Sequence, residues 1–374
     1  MTKPTIVTVV GTRPEIIRLS RVMARLDTVT NHILVHTGQN YDRQLNEVFF
    51  EELGIRPPDR YLKVDTSSLG ATLGDTLRKV EEVLVEFAPD GFLVLGDTNS
   101  AISALIAKRM HIPVYHMEAG NRSFDENVPE ETNRRLIDHI ADFNLPYSEN
   151  PYRNLIAEGL PPRRMAMSGS PMREVLDFHR AAIDASDVLD RLGLEKERYF
   201  LASAHRQENV DSPVRLRALV ESLSAVHEEW GFPVLVSTHP RTRRQLETLM
   251  GQASVEGLTF HEPFGFLDYC KLQLNAACVL SDSGTISEES SILGFPAITM
   301  RDSMERPEAL DVGAIVMTGL GREDVVRGVA EAIAERGVPP TCPAGYEVTD
   351  CSRRVVRFML STLGRHHEWA GIRR

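Results

Sequence analysis

The sequence predicts an α/β protein of two Rossmann-like, doubly wound domains. Three observations predict it. The length, 374 residues, suits two domains at roughly 100–200 residues each. Short β-branched runs alternate with longer stretches of helical spacing, which implies parallel strands covered on both faces. The alternation then restarts: a helix and the charged connector LDRLGLEKERY occupy 170–197, and a second set of strands follows.

In the first half the candidate strands are 5–10, 32–37, 91–95, 114–117, 143–146 and 165–168. Leu73, Leu77, Val80, Val83, Leu84 and Phe87 recur at helical spacing between them. In the second half the strands are 199–203, 234–238, 258–260, 278–281, 297–300 and 314–317, separated by helical stretches near 213–229, 241–250, 285–293 and 322–336. This gives a first domain over 1–185 and a second over 186–350. A terminal segment, 351–374, carries a helix near 352–363 that either closes the second sheet or crosses back to the first. The ligand site is expected in a cleft between the two domains.

Composition narrows the function. Lys and Arg number 42 against 53 Asp and Glu, a net charge of −11. A general nucleic-acid or membrane-surface binder needs broad basic patches, so neither partner is expected. Four cysteines without a CxxC pair exclude a disulfide scaffold or zinc knuckle as the organising feature. The opening MTKPTIVTVVGTRPE reads as a first core strand rather than a secretion signal. No apolar run approaches the roughly 20 residues that span a bilayer. A cytoplasmic location is the expectation. HExxH and GxSxG are absent, no metal is expected, and His366-His367 reads as a solvated pair in a polar tail.

Ligands of open α/β sheets sit beyond the carboxyl ends of the strands, so the residues after each strand carry the argument. After the first come Gly11-Thr12-Arg13-Pro14-Glu15, a turn with Pro14 suited to the start of a helix. Arg13 reads either as part of an anion site or as a surface arginine on a plain turn. GxGxxG and the Walker loop are both missing, which removes support for NAD and P-loop chemistry. Thr37-Gly38-Gln39-Asn40-Tyr41-Asp42 needs no reading beyond a turn and a helix cap. Asp97, in Gly96-Asp97-Thr98, serves equally as a helix cap or a general base. Glu118 lies between Met117 and Ala119, which read as buried, and carboxylates rarely occupy such surroundings without a partner or a task. Glu130 and Glu131 open a helix after Pro129, where acids suit the macrodipole, and Arg134 and Arg135 can pair with acids one turn away. In the second half the tips carry His205-Arg206, His239-Pro240-Arg241 and Ser283-Gly284-Thr285, the last reading as a phosphate cradle at a helix N-terminus or an ordinary cap. Seven such tips mixing carboxylates, histidines and arginines exceed what structure alone calls for.

The motifs GTRPE, GDT, EAG, PEE-x-NR, AHR, SDSG followed by EE, and ERPE occur in this order. Together they resemble the non-hydrolysing UDP-N-acetylglucosamine 2-epimerases over about residues 5–340. The resemblance implies the two-Rossmann fold shared with GT-B glycosyltransferases. Finer stretches, HTGQNYD, HMEAGNRSFDENVPEETNR and PFGFLDYCKLQLNA, are similar to the branch that makes UDP-N-acetyl-L-fucosamine by epimerising C2 of a 6-deoxy-L-talose precursor. The implied substrate is therefore either that sugar or UDP-GlcNAc/UDP-ManNAc.

The implied chemistry is anti elimination of UDP to a 2-acetamidoglycal, followed by re-addition with the proton on the opposite face of C2. It needs no cofactor. By resemblance Asp97, Glu118, Glu130 and His205 fall at catalytic positions. Arg13, Arg18, Arg134, His239, Ser283, Gly284, Thr285, Glu289 and Arg306 fall at substrate- or UDP-binding positions, and a homodimer making surface-polysaccharide precursors is the implied context. Two departures stand out. Arg18 replaces the commoner lysine, and Asn40 with its followers replaces the QHREM stretch that helps hold an activating second UDP-GlcNAc in several members. The rival readings are a hydrolysing epimerase, a GT-B glycosyltransferase and a non-catalytic UDP-sugar sensor.

Overall fold

The computed structural model describes residues 3–38, 49–204, 206–238, 242–243, 245–246, 255–338 and 341–373. The chain divides into two compact units. Met1–Phe178 with Ala344–Arg374 form the first, and His179–Pro343 the second.

The first unit is built on six parallel strands: β1 (Thr5–Val10), β2 (Asn31–His36), β3 (Arg60–Tyr61), β4 (Gly91–Leu95), β5 (Val114–Met117) and β6 (Phe143–Leu145). Their order is β3-β2-β1-β4-β5-β6. The helices that matter for the site are α1 (Arg13–Val29), α2 (Leu69–Phe87), α3 (Pro129–Ile140) and α4 (Met172–Ala185). The central strands are buried along nearly their whole length, as sheet faces covered by helices on both sides require. Val7, Val9, Val35, Val94 and Val114 pack there against Val80, Val83 and Leu84 of α2.

The second unit repeats the plan with β7 (Phe200–Ser203), β8 (Val234–Ser237), β9 (Leu258–His261), β10 (Cys278–Ser281), β11 (Ala297–Thr299) and β12 (Val316–Met317). The order β12-β11-β10-β7-β8-β9 is the first sheet's order read from the other edge. Its helices include α5 (Pro213–Trp230), α6 (Phe266–Asn275), α7 (Ile286–Leu293) and α8 (Arg322–Ala334). In each unit the strand order reverses between the first and fourth strands, and such a switch point is where open α/β sheets bind ligands. These are β1 and β4 in one unit and β7 and β10 in the other.

Four sequence expectations need correction. Residues 165–168 are not a strand. Met165 makes a single bridge to Asn144, and two backbone hydrogen bonds, Ala166 to Asn144 and Ser168 to Pro146, precede a turn at Gly169. The sixth strand is instead β3 at the opposite edge, two residues in register with Val35 and His36. The units part at Phe178/His179 rather than after residue 185, because the last turns of α4 belong with the second unit. There His179 meets Phe266 edge-on at 5.7 Å, and Lys271 donates to the Asp184 carbonyl at 2.8 Å. The chain returns to the first unit at Ala344 rather than 351, since Ser170 N–H already donates to the Gly345 carbonyl at 2.8 Å. The last long helix, α9 (Cys351–Thr362), packs on α1, and Tyr115 Oη meets Thr362 Oγ1 at 2.7 Å. Finally, His366 is not solvated. It is buried with Nε2 2.9 Å from Asp142 Oδ1, because the short helix His366–Ala370 folds back over Phe143. The helix expected near 241–250 lies largely outside the described residues.

Candidate functional site

In the first unit Thr12 caps α1, and Arg13 begins it with its guanidinium 4.7 Å over the Phe49 ring. Two residues on, Glu15 turns back into the fold. Its Oε2 accepts from the Gly11 and Thr12 N–H groups at 3.0 and 2.8 Å and from the Thr12 hydroxyl at 2.8 Å. Its Oε1 accepts from Thr98 at 2.9 Å and from Ser100, so one carboxylate joins the tips after β1 and β4. Burial raises its pKa above the ordinary carboxyl value, against the pull of the hydroxyls and the Gly11 N–H.

The tip after β4 holds Asp97. Arg134 of α3 spreads its fork across two acids, with Nε 2.7 Å from Asp97 Oδ2 and Nη1 2.8 Å from Glu131 Oε2. Asn133 donates to the Asp97 carbonyl at 2.8 Å, which fixes the backbone as well. The adjacent acids Glu130 and Glu131 behave differently. Burial pushes Glu131 up, but the Ser123 N–H and hydroxyl, with Arg134, outweigh it and hold the carboxyl below its ordinary range. Glu130 is half-buried at the first turn of α3 and has no side-chain hydrogen bond or ion pair among the described residues. Of the two, Glu130 is the one with capacity for a ligand and Glu131 the one that positions its neighbours.

Glu118 follows β5. It is 6 % exposed, between the fully buried Met117 and Ala119, and its oxygen Oε2 pairs with the Arg18 guanidinium. Its φ of +65° is a left-handed conformation that costs a bulky residue energy and persists only when surroundings impose it. Those surroundings are visible. Gly120, at φ +88°, lies so close to the Pro151 carbonyl that a Cβ would meet it at 2.2 Å. The Gly120 N–H is bonded to Asp138, which also takes Arg122 Nη1 at 2.7 Å and lies 2.9 Å from His116 Nδ1. This buried network underneath the EAG turn has no counterpart in the sequence reading.

In the second unit the tip after β7 leads to His205, which like His239 lies outside the described residues. The flanking chain is anchored by Asp282, fully buried at the tip after β10. It accepts from Arg206 N–H at 3.0 Å and Asn209 Nδ2 at 3.1 Å. Ser283, Gly284 and Thr285 then enter α7. Ser283 Oγ and Thr285 Oγ1 lie 3.0 Å apart, and the Thr285 N–H donates to Ser283 Oγ at 3.3 Å. Arg306 Nη1 donates to the Gly284 carbonyl and to Glu288 Oε2, at 2.7 and 2.6 Å. Glu305 sits under the same glycine, between Arg206 at 3.1 Å and Arg301 at 2.6 Å. Glu289 lies one turn on from Thr285 and accepts from Gln273 at 2.6 Å. Burial, with Glu289 nearby, pushes the Tyr269 hydroxyl up.

The structure thus brings Asp97 and Arg134 together, Glu118 and Arg18 together, and Ser283, Gly284, Thr285 and Arg306 together. Glu15, Glu131, Asp282, Glu288 and Glu305 were missed as site residues, although all five sit inside motifs the sequence displays.

Carboxylates and paired arginines at one Rossmann switch point, with a Ser-Gly-Thr helix entry braced by arginines at the other, define an enzyme of the two-Rossmann, GT-B-like class. Comparison with known proteins narrows this. A UDP-N-acetylglucosamine 2-epimerase from Rickettsia bellii has the same fold, with a TM-score of 0.92, 44% identity and 98% of each chain covered. The crystal structure of the Methanocaldococcus jannaschii UDP-GlcNAc 2-epimerase in complex with UDP-GlcNAc and UDP matches with a TM-score of 0.90 and 33% identity. That match covers 96% of this chain and 99% of the other. A UDP-2,3-diacetamido-2,3-dideoxy-D-glucuronate 2-epimerase from Pseudomonas aeruginosa is 35% identical over 334 residues, 88% of this chain and 92% of its own. The family model for UDP-N-acetylglucosamine 2-epimerase matches residues 24–360, and the chain belongs to that family of epimerases. Among the described residues no helix is long and apolar enough to cross a membrane.

Proposed function

We propose that this chain is a non-hydrolysing epimerase that inverts C2 of a UDP-N-acetylhexosamine by eliminating and re-adding UDP. The observation that carries the reading is the Arg134 fork, which holds Asp97 and Glu131 at the switch point of the first sheet. Proton transfer at an unactivated carbon needs a positioned base, and a guanidinium fork fixes a carboxylate in both place and direction.

In the reaction a base takes the C2 proton while the C1–O bond breaks. The C–H electron pair becomes the C1=C2 double bond, and UDP leaves with the C1–O pair. The proton is returned to the other face of C2, and UDP adds back to C1. Asp97, Glu118, Glu130 and His205 are the proposed acid–base set. The Ser283-Gly284-Thr285 entry of α7 supplies backbone dipoles for the departing diphosphate, and Arg13, Arg18, Arg134, His239, Glu289 and Arg306 complete the substrate seat.

Two substrates fit the reading. UDP-GlcNAc is supported by the M. jannaschii relative, solved with UDP-GlcNAc and UDP. The 6-deoxy-L-talose derivative is supported by the HTGQNYD and SFDENVPEETNR stretches. A homodimer acting in the cytoplasm on surface-polysaccharide precursors is the context that the resemblance supports. Proton NMR of the purified protein with each sugar tests the reading. A new UDP-sugar inverted at C2 is expected. Free N-acetylmannosamine with UDP would instead make the enzyme hydrolysing, and transfer only to an added acceptor would make it a glycosyltransferase.

A further inference from the structure

The Glu15 carboxylate receives five donors: two N–H groups and a hydroxyl from the β1 tip on one oxygen, two hydroxyls from the β4 tip on the other. A carboxylate offers about four lone-pair sites. Glu15 is therefore saturated, and at 1 % exposure it is out of reach of a substrate. It cannot be an acid–base group itself. Its geometry serves a different end, because Thr98 is bonded directly to Asp97 in the chain. Asp97 is held from the α3 side by Arg134 and Asn133. Glu15, through Thr98 and Ser100, supplies the hold from the α1 side. With one side released, the 96–100 turn can pivot about the Arg134 contact, and the Asp97 carboxylate loses its direction.

We propose that Glu15 is a positioning residue for Asp97, locking the tip after β1 to the tip after β4 so that the Asp97 carboxylate keeps a single orientation. This rests on the epimerase reading above. The alternative is that Glu15 only caps α1, in which case its loss lowers stability and leaves the chemistry unchanged. Five donors on one acceptor group explain why the residue must be an acid. A glutamine still accepts from the Gly11 and Thr12 side, but it presents an NH₂ group to Thr98 and Ser100. Glu15→Gln therefore acts on the β4 side, where the two hydroxyls must accept from the NH₂ group instead of donating to the carboxylate, and leaves the Arg13 turn in place.

The test is steady-state kinetics on whichever of UDP-GlcNAc and the 6-deoxy-L-talose derivative the wild-type enzyme epimerises. The variants are Glu15→Gln, Asp97→Asn, their double variant, and Thr98→Val/Ser100→Ala, with thermal midpoints recorded for each. Misdirecting a catalytic group costs of order 10- to 100-fold in rate. Glu15→Gln is expected to lower kcat by about 10-fold or more with KM within about 3-fold. Thr98→Val/Ser100→Ala, which cuts the same link from its other end, is expected to match it, and so serves if Glu15→Gln does not fold. In the Asp97→Asn background Glu15→Gln is expected to add no further loss of kcat. Full multiplication of the two losses, or a wild-type kcat in Glu15→Gln beside a lowered midpoint, overturns the positioning role alone. A wild-type kcat in Asp97→Asn overturns the catalytic assignment and the positioning role together.

Discussion

Gly284→Ala puts the proposed diphosphate seat under a defined strain. A Cβ at this position would meet Glu305 Oε1 at 2.4 Å, well inside any real contact. Glu305 cannot retreat, since it is buried with one oxygen on Arg206 and the other on Arg301. The strain falls on the Gly284 peptide, whose carbonyl is held by Arg306. Overpacking of this kind costs typically about 1–3 kcal/mol. If it is expressed in the bound state, UDP affinity falls about 5- to 150-fold, at about 1.4 kcal/mol per factor of ten. If it is expressed in the fold, the midpoint of the second unit drops by about 2–4 °C per kcal/mol, the scale for a domain of its size. Titration calorimetry with UDP and a thermal melt read the two outcomes. Gly74→Ala is the control. It lies on the exposed side of α2, with nothing within 4 Å of the point where the added methyl would stand, so it should leave UDP binding alone and stabilise by about 0.5–1 kcal/mol. Wild-type UDP affinity together with an unchanged melt in Gly284→Ala would refute the reasoning.

Asp97→Asn, Glu118→Gln, Glu130→Gln and His205→Ala are each expected to lower turnover by about 10²-fold or more in a steady-state assay. Glu118→Gln should also lower the melting temperature, because it removes the carboxylate charge that faces the buried Arg18 guanidinium, a loss of up to about 3 kcal/mol. His36 gives a pH signature: burial pushes its pKa down to about 4, from 6.5 when unfolded. Between these values the unfolded chain binds the proton and the folded one does not, so stability falls as pH drops through this window, by up to about 3 kcal/mol. Urea midpoints at pH 7.5 and 5 should show that decline in the wild type and a shallower one in His36→Phe. Cys270, Cys278 and Cys351 are buried, and burial pushes the Cys278 thiol up to about 12. In the native protein Cys342 should therefore react first with a thiol reagent, the other three only on unfolding; rapid loss of more than one thiol would contradict the packing.

The strands at 5–10, 91–95, 114–117 and 278–281 are legible to the residue because each is a short, mostly apolar run followed by a glycine or an acid. Where that signal fails, so does the reading. β3 has only two residues and owes its existence to Val35 and His36 alongside. The 165–168 run has the composition of a strand but finds only one bridge. The site is legible where a polar residue interrupts an apolar strand end, as at Asp97, Glu118 and Ser283. It is not legible where function depends on pairing at a distance. Arg18 and Glu118 are 100 positions apart, Glu15 and Ser100 are 85, and Arg306 and Glu288 are 18. Glu130 and Glu131 look alike in the sequence, and only the fold, by bringing Ser123 and Arg134 onto Glu131, separates an open acid from a saturated one.

The central claim is that C2 is inverted by breaking and remaking its C–H bond together with the C1–O bond. Turnover in D₂O, followed by proton NMR, tests it most directly. The account predicts one deuterium at C2 of the product, and of recovered substrate as exchange proceeds. With oxygen label in the sugar–phosphate bridge, it also predicts scrambling into the non-bridging positions of the β-phosphate. An inverted product that carries no solvent deuterium at C2 would contradict it, whichever UDP-sugar is the substrate.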